Sequence, residues 1–329
     1  MGPRLYSEGF IANQSQLLQE IIDGLDVYNT TQDPLIAMFC REMVRETARV
    51  PQGPLGFDEE GEGANPDAKK MQFRLLSFPL RTFDLSTPFT RTGLEDSLPS
   101  DIQDTFNAAM AGASERDLFG LINALFVKRT AGAIGTAYQA GFWNGETDAP
   151  PYGNFANTGA ISHYVGLNTT TLATGHITAA VEQLNKFGFA KNLASVVALF
   201  STDQQSDVEA MMDNSSTMFG TPQRVQAVDN GVLSGVKVGG VQCVFHSYVP
   251  SGYFGVFDIS QKIVGRRVHL DPRYRGLRMY GPNIADPNEP LVDSYFRMRM
   301  GYAVRQLGAG ALRQIVASPT YTNPTLRYS

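Results

Sequence analysis

The first fifty residues carry apolar side chains at helical spacing. Apolar positions recur every three or four residues over 17–29, which predicts an amphipathic helix. Asp33 followed by Pro34 is a helix-start signal, and the apolar positions after it predict a second helix that continues to Val44. Residues 1–50 are therefore predicted to form an N-terminal arm of short helices, and its apolar stripe requires a packing partner.

Residues 51–97 are predicted to form an extended β-loop. The segment opens with Gly and Pro residues around a group of acids, which are Asp58, Glu59, Glu60, Glu62 and Asp67. Because these acids lack the regular spacing of an EF-hand, a solvated charged loop is favoured over a calcium site. From Met71 onward apolar and polar residues alternate, and the parity changes at Leu76, as it would at a bulge in one long strand.

One long helix is predicted over residues 100–129. Ser100 followed by Gln103 is a capping-box signature, and apolar positions keep helical spacing behind it. At 1.5 Å per residue this helix would be about 45 Å long. Gly112 and Gly120 mark the positions where it is expected to bend.

The rest of the chain changes from mixed elements to strands. Residues 130–168 are rich in small residues and are predicted to be loop with short strands. A helix over 174–188 capped by Thr174, a buried strand over 195–200 and a short helix opened by Thr202 or Asp203 follow. The later predictions are a strand over 236–245, a turn at Pro250-Ser251-Gly252, a strand over 253–257, and a terminal hairpin of 296–304 and 312–316 joined at Gly308-Ala309-Gly310.

Composition narrows the class of protein. With 329 residues, 43% hydrophobic and 18% charged, the chain is typical of folded proteins with one large or two ordinary domains. The net charge of −5 argues against the broad basic face that duplex binding requires. Cys40 and Cys243 are too few for a disulfide framework or a thiolate zinc site, which favours a reducing compartment. Neither a signal peptide nor a membrane span is predicted.

Charge is distributed unevenly along the chain. Residues 1–261 hold 16 basic and 28 acidic side chains, whereas residues 262–313 hold 10 basic and 4 acidic ones. One interpretation is a nucleic-acid surface through Arg266, Arg267, Arg273, Arg275 and Arg278. The other, which is favoured because nine of the ten basic residues are arginine, is bidentate pairing with carboxylates of neighbouring subunits.

The sequence predicts no catalytic, cofactor-binding or metal-binding residues. The four histidines, His163, His176, His246 and His269, are scattered and form no ligand pair on a helix face. Nucleotide-binding glycine loops are absent, and the stretch from Gly231 to Gly235 misses the serine-hydrolase elbow by one residue. The chain is therefore predicted not to be an enzyme.

The order of elements resembles the major capsid protein of tailed bacteriophages, the HK97-like fold family, and more distantly the encapsulin shell protein. The resemblance spans nearly the whole chain. It is most specific from Gly239 to Asp258, which looks like two strands joined by a Pro-x-Gly turn and closed by Asp. A basic strand over 263–270 and terminal strands over 293–316 are also similar to the family pattern.

The resemblance implies an α+β chain with the HK97-like major capsid fold. The implied domains are an N-terminal arm (1–50), an extended loop (51–97), a peripheral domain with the long spine helix (98–150), an axial domain (151–258), and the peripheral-domain sheet with the C-terminus (259–329). Some relatives carry an N-terminal scaffolding segment or a Lys–Asn isopeptide bond. Neither is carried over, because the loop begins near residue 50 and residues 294–304 contain no Asn to pair with Lys69 or Lys70.

The implied function is self-assembly into an icosahedral shell that encloses double-stranded phage DNA. The implied partners are copies of the chain as pentamers and hexamers, a separate scaffolding protein, a portal, a decoration protein and DNA bound without sequence specificity, with no cofactor and no membrane. The implied location is the virion, after assembly in the host cytoplasm. An encapsulin-like nanocompartment shell and a soluble α/β enzyme are the alternatives.

Overall fold

The computed structural model describes most of the chain. The described residues are 8–31, 33–51, 73–86, 99–129, 138–139, 141–146, 161–214, 227–229, 232–280 and 294–327. The helices are α1 Glu8–Thr30, α2 Pro34–Phe39, α3 Pro99–Phe126, α4 Thr174–Lys186 and α5 Gln205–Asn214. The strands are β1 Cys40–Met43, β2 Thr47–Pro51, β3 Phe73–Ser77, β4 Arg81–Ser86, β5 Tyr138–Gln139, β6 Asn144–Glu146, β7 Ile161–Ser162, β8 Tyr164–Gly166, β9 Val196–Ser201, β10 Ala227–Asp229, β11 Val232–Val238, β12 Val241–His246, β13 Tyr253–Asp258, β14 Val264–Arg267, β15 Leu277–Tyr280, β16 Tyr295–Val304 and β17 Gly310–Gln314.

Two large sheets organise these elements. In the five-stranded sheet, β16 pairs with β15 and β4 along its first half and with β14 along its second half, and β1 lies parallel to β14. The seven-stranded sheet has the order β10-β11-β12-β9-β13-β17-β8. Two small sheets, β2-β3-β5 and β6-β7, complete the described strands.

The two large sheets share one hydrophobic core. Helix α3 covers the apolar face of β16, where the rings of Phe106 and Phe296 lie 5.5 Å apart. Phe257 on β13 packs edge-on against Phe39 of α2 at 5.2 Å and against Phe126 of α3 at 6.4 Å. The side chain of Phe257 therefore joins the seven-stranded sheet to the helices of the other layer.

A second core lies on the opposite face of the seven-stranded sheet. Helices α4 and α5 supply Ile177, Leu184 and Val208, which are almost fully buried. The sheet supplies Phe200 and Phe254, whose rings stack at 4.9 Å. Both faces of this sheet are therefore apolar, which explains why all six residues of β9 are buried.

The strongest periodic patterns are confirmed. Helix α1 includes the helix predicted over residues 17–29, and β9 matches the predicted buried strand. Helix α3 continues without a break through Gly112 and Gly120. The alternation along β16 is confirmed as well, since its apolar positions face the core. Short strands β5 to β8 occur in the described parts of 130–168.

Helix ends were predicted less accurately. The second helix ends at Phe39 and not at Val44, because residues 40–43 pair with β14. Ser100 lies inside α3, which already includes Pro99. Ala173, not Thr174, is the N-cap of α4, and its N–H donates to His176 Nδ1. Ser201, not Thr202 or Asp203, caps the turn that leads into α5.

Several strand pairings were wrong. The predicted long bulged strand is two strands, β3 and β4, which separate around Pro79 and join different sheets. The single strand predicted over 236–245 is likewise two strands, β11 and β12. Gly239 and Gly240, with positive φ angles of 59° and 84°, form the turn between them. Strands β12 and β13 do not pair with each other, because β9 lies between them.

The predicted terminal hairpin is also absent. Strand β16 belongs to the five-stranded sheet, whereas β17 lies between β13 and β8 in the seven-stranded sheet. The turn at residues 308–310 thus carries the chain from one sheet to the other. The acidic residues 58–67 and the rest of 52–72 lie outside the described residues.

We expect Gly112→Ala and Gly120→Ala to change stability in opposite directions, although both glycines lie in α3. A Cβ at residue 112 meets no atom within 4 Å, so alanine should stabilise the protein by up to about 1 kcal/mol. A Cβ at residue 120 would lie 2.6 Å from the buried Tyr302 ring, so alanine should cost about 1–3 kcal/mol. Urea unfolding measures the unfolding free energy of both variants. Equal changes in that free energy would contradict the packing of α3 on β16.

Candidate functional site

A charged cavity of about 480 Å³ lies between α1, α3 and the five-stranded sheet. Three of the five arginines singled out from the sequence line it, namely Arg266, Arg275 and Arg278. The acidic side chains that line it come from the first half of the chain and are Asp26, Asp33, Glu42 and Asp117. The basic C-terminal segment and the acidic N-terminal part of the chain therefore meet within one subunit.

Arg266, Asp117 and Tyr302 form a closed hydrogen-bonded cluster at this cavity, here called the polar hub. Arg266 Nη2 donates to Asp117 Oδ2 at 2.7 Å, and Arg266 Nε donates to the Tyr302 hydroxyl at 3.1 Å. The Tyr302 hydroxyl in turn donates to Asp117 Oδ1. Glu42 Oε1 lies 3.6 Å from Arg266 Nη1. The hub ties α3 to both β14 and β16.

The electrostatics of the hub follow from its burial. Burial raises the pKa of Asp117, while the Arg266 guanidinium and the Tyr302 hydroxyl act in the opposite direction by stabilising the carboxylate. Burial alone would lower the pKa of Arg266, but Asp117 and Tyr302 raise it above its usual value. Each charge is therefore tolerated only because the other is present.

The other singled-out arginines also contact their own chain. Arg267 Nη1 donates to the Phe78 carbonyl at 2.6 Å, and Arg275 Nε donates to the His269 carbonyl at 2.9 Å. Three of these arginines form ion pairs, namely Arg267 with Glu46 at 3.8 Å, Arg273 with Asp271 at 2.8 Å and Arg278 with Asp26 at 3.2 Å. Arginine does pair with carboxylates here, but these carboxylates belong to the same subunit. The predicted pairing of arginine with carboxylates therefore occurs within the subunit at Arg266, Arg267, Arg273 and Arg278.

The N-terminal arm packs partly on its own subunit. Ile21 and Leu25 are 3% and 4% exposed, and the Asn29 amide bonds both the N–H and the C=O of Leu277 at 2.9 and 3.0 Å. On the other side of α1, Ile22 and Val27 are 42% and 66% exposed. The packing partner that the stripe requires is therefore supplied by the same subunit at the buried positions of α1.

The histidines do not converge. No group of three His, Cys, Asp or Glu side chains that could hold a metal occurs among the described residues. His176 caps α4, and the rings of His246 and His269 bond backbone N–H groups within two residues. His163 is buried with Nδ1 2.5 Å from the Gly310 carbonyl, and burial lowers its pKa to about 4. These contacts are structural.

The polar hub was missed by sequence analysis, although a signal for it exists. Asp117 follows Ala113 by four residues on the predicted apolar face of α3, and Tyr302 occupies an apolar position of β16. A carboxylate on an apolar helix face requires a buried partner. Nothing in the spacing identifies Arg266 as that partner, because the residues are 149 positions apart.

Comparison with known proteins identifies the fold. No family model matches the chain, and no curated protein matches it. A solved chain from Mycobacterium phage Patience is 22% identical, with 94% of this chain and 90% of that chain covered and a TM-score of 0.70. A chain of the holo-SrpI encapsulin complex from Synechococcus elongatus is 14% identical, with 92% of this chain and 97% of that chain covered and a TM-score of 0.50. A chain from the capsid of an empty GTA particle is 15% identical, with 85% of this chain and 95% of that chain covered and a TM-score of 0.50.

The chain thus has a mixed helix-and-sheet fold that matches HK97-like shell proteins, which confirms the predicted fold class at that level. Among the described residues, no helix combines the length with the hydrophobicity that a membrane span requires.

We expect Arg266→Gln to destabilise the protein by about 3–5 kcal/mol, because Asp117 would remain buried without its cation. Urea unfolding measures the loss. Arg273→Gln removes an equally charged group from an exposed pair and should leave the unfolding free energy unchanged. Adding Asp117→Asn to Arg266→Gln should recover part of the loss, since no buried charge is then left. An Arg266→Gln variant as stable as the unaltered chain would contradict the hub.

We expect His163 to make the protein less stable in acid. The pKa is about 4 in the folded chain and 6.5 when unfolded, so the unfolded state binds the proton more readily between these values. Stability contributed by the neutral ring is complete above pH 6.5 and falls by about 3 kcal/mol as the pH approaches 4. Urea unfolding at several pH values should show this fall for the unaltered chain and not for His163→Gln. If stability varied with pH in the same way in both proteins, the assigned role of His163 would be refuted.

Proposed function

We propose that this chain is a major capsid protein that assembles into an icosahedral shell around a double-stranded phage genome. The observation that carries the proposal is the structural match to the phage chain, which covers 94% of this chain and 90% of the other. The match therefore extends over nearly the whole of this chain.

The described elements can be assigned to the loop and the two domains of such a subunit. Strands β2 and β3 pair from Thr47–Ser77 to Pro51–Phe73, so the described residues Pro51 and Phe73 lie side by side, which suits the proposed loop assignment of 51–97. Helix α3 with the five-stranded sheet would form the peripheral domain, and the seven-stranded sheet with α4 and α5 the axial domain. The proposed boundaries are those inferred from the sequence: 1–50, 51–97, 98–150, 151–258 and 259–329. Because β17 pairs in the seven-stranded sheet, the last range would serve both domains.

The proposed partners are further copies of the chain as pentamers and hexamers, a separate scaffolding protein, a portal and a decoration protein. DNA would be enclosed without sequence specificity, and the engagement of Arg266, Arg273 and Arg278 by carboxylates of their own chain supports weak contact with phosphate. The proposed location is the virion, with assembly in the host cytoplasm. An encapsulin-like compartment has less support, since that match has a TM-score of 0.50 against 0.70.

We expect the purified chain, alone or co-expressed with its scaffold, to form closed shells, and deletion of residues 56–68 to abolish them without unfolding the subunit. The deletion lies beyond the paired ends of β2 and β3, so the base of the loop remains. Negative-stain microscopy and sedimentation velocity measure assembly, and circular dichroism with thermal melting measures folding. An unaltered chain that stays monomeric under all conditions would refute the proposed function. A deletion that unfolds the subunit would refute only the loop assignment.

A further inference from the structure

The outer face of the five-stranded sheet, which lies opposite the face that α3 covers, carries tyrosines and arginines. The apolar residues of β16 face the core, so the alternate residues Tyr295, Arg297 and Arg299 lie on the outer face. In the register of the sheet, Tyr280 of β15 lies opposite Tyr295, and Thr82 of β4 lies opposite Arg299. Aromatic rings and guanidinium groups are therefore neighbours on one side of the sheet.

Arg297 is paired within its own subunit. Its Nε and Nη2 donate to the two carboxylate oxygens of Asp84 at 2.6 and 2.9 Å. Its guanidinium carbon also lies 5.4 Å from the centroid of the Tyr280 ring and 5.2 Å from that of the Tyr295 ring. The hydrogen bond from Arg297 lowers the pKa of Asp84, so this carboxylate stays ionised. A bidentate pair with a carboxylate is therefore the way in which this face holds an arginine.

Arg299, two residues further along β16, lies over a tyrosine ring without a comparable pair among the described residues. Its guanidinium carbon is 5.7 Å from the centroid of the Tyr274 ring. Arg273 approaches the same ring at 6.0 Å, and it pairs with Asp271 at 2.8 Å. Within the described ranges, no hydrogen bond or ion pair engages the side chain of Arg299, and its Nε is shielded from solvent. Arg299 therefore differs from the other arginines that contact these tyrosines, since each of those holds a carboxylate.

An anion is the partner that this arrangement favours. Arg299 is half-buried, and a guanidinium withdrawn from water is stabilised when a negative group offsets its lost hydration. Carboxylate and phosphate oxygens both fit the guanidinium fork in the bidentate way that Arg297 and Asp84 show. The two candidates are therefore a carboxylate side chain and a nucleic-acid phosphate.

Charge and position favour a carboxylate from a second copy of the chain. Residues 1–261 hold 28 acidic against 16 basic side chains, so another copy brings an excess of carboxylates. Thr82, which lies opposite Arg299, is exposed, and no described strand pairs with the other side of β4. Edge strands are the usual places where another chain docks. Arg299 therefore lies one strand away from an edge that a neighbouring copy can reach.

A nucleic-acid phosphate fits less well. One guanidinium per subunit gives about one phosphate contact, and the logarithm of the binding constant would then fall by only about 0.9 for a tenfold rise in salt. Such a contact supplies little affinity, and the net charge of −5 opposes it.

We propose that the guanidinium of Arg299 binds a carboxylate side chain of a neighbouring copy on the outer face of the five-stranded sheet. The proposal rests on the proposed self-assembly and names one of its contacts. Arg299 belongs to the arginine-rich segment 262–313 but is not one of the five arginines singled out from the sequence. The expected pairing of arginine with a carboxylate of another subunit is thereby assigned to a residue that has no such pair among the described residues of its own.

Carbodiimide coupling in assembled shells tests the proposal, because it joins a lysine amine to a carboxylate only when the two are in contact. Arg299→Lys keeps the positive charge and supplies the amine. Shells are assembled from equal amounts of ¹⁴N- and ¹⁵N-labelled Arg299→Lys chain, coupled, digested and analysed by mass spectrometry. We expect mixed-isotope links from position 299 to an acid of a second copy. Links confined to one isotope would show a carboxylate of the same chain and would overturn the proposal, as would no link at all.

Arg273→Lys is the matched control, because Arg273 lies near the same tyrosine ring. Its partner Asp271 is two residues away in the same chain, so its links should carry a single isotope. If position 273 gave mixed-isotope links as often as position 299, the links at position 299 would not report a specific contact, and the proposal would be overturned.

Assembly of Arg299→Gln gives a second readout. We expect the protein concentration required for assembly to rise about tenfold, because each copy loses one charged contact with its neighbour. The melting temperature of the subunit should change by less than about 3 °C, since the described residues offer the Arg299 side chain no hydrogen bond to lose. Arg273→Gln removes the same charge beside the same ring and should leave both values unchanged.

Normal assembly of Arg299→Gln would overturn the contact while leaving the shell function intact. Normal assembly with weaker binding of random duplex DNA would assign Arg299 to phosphate, and that also overturns the proposal. A larger fall in the melting temperature would assign Arg299 to the folding of its own subunit, with the same consequence. Failure of the unaltered chain to assemble would refute the shell function itself.

Discussion

A buried charge must be fully paired, and this constraint fixes how the long helix lies on the sheet. Asp117 and Arg266 are both withdrawn from water, and the desolvation cost is offset only while their hydrogen bonds are complete. Tyr302 completes them, and its ring reaches Asp117 only because Gly120 of the same helix has no side chain. Rotation or sliding of α3 would break the pair and force the ring against the helix. The hub therefore sets one register for α3 on β16.

The same pairing explains the uneven distribution of charge along the sequence. An acidic first part and an arginine-rich later part suggest two surfaces, yet Arg266, Arg273 and Arg278 meet carboxylates within the subunit. Arg266 and Arg278 thus neutralise acids at the cavity between α1, α3 and the sheet, and the surface of the subunit is less basic than the sequence indicates. In the proposed shell, weak contact with phosphate would allow the duplex to move during filling and release.

The sequence predicted those elements whose pattern is local. Helix α3 and strand β16 carry their apolar positions at periods of 3.6 and 2, so both could be identified without knowledge of their neighbours. The errors occur where a partner distant in sequence decides the outcome. Residues 40–43 have no strand signal of their own and become β1 because β14 lies beside them. Strands β16 and β17 look like a hairpin, but the better-buried position for β17 is between β13 and β8. Pairing choices of this kind depend on the whole fold.

Functional positions were harder to predict for the same reason. The sequence drew attention to arginines clustered in one segment, whereas the polar hub draws Asp117, Arg266 and Tyr302 from three separate segments. Tyr302 completes this cluster, since its hydroxyl bonds Asp117 and Arg266 and its ring occupies the space that a side chain at Gly120 would need. Each of the three residues lies on a different element, and their contacts form only when α3 lies on β14 and β16, so no local pattern identifies the cluster. The interaction that holds the long helix in register is therefore also one that periodicity alone could not predict.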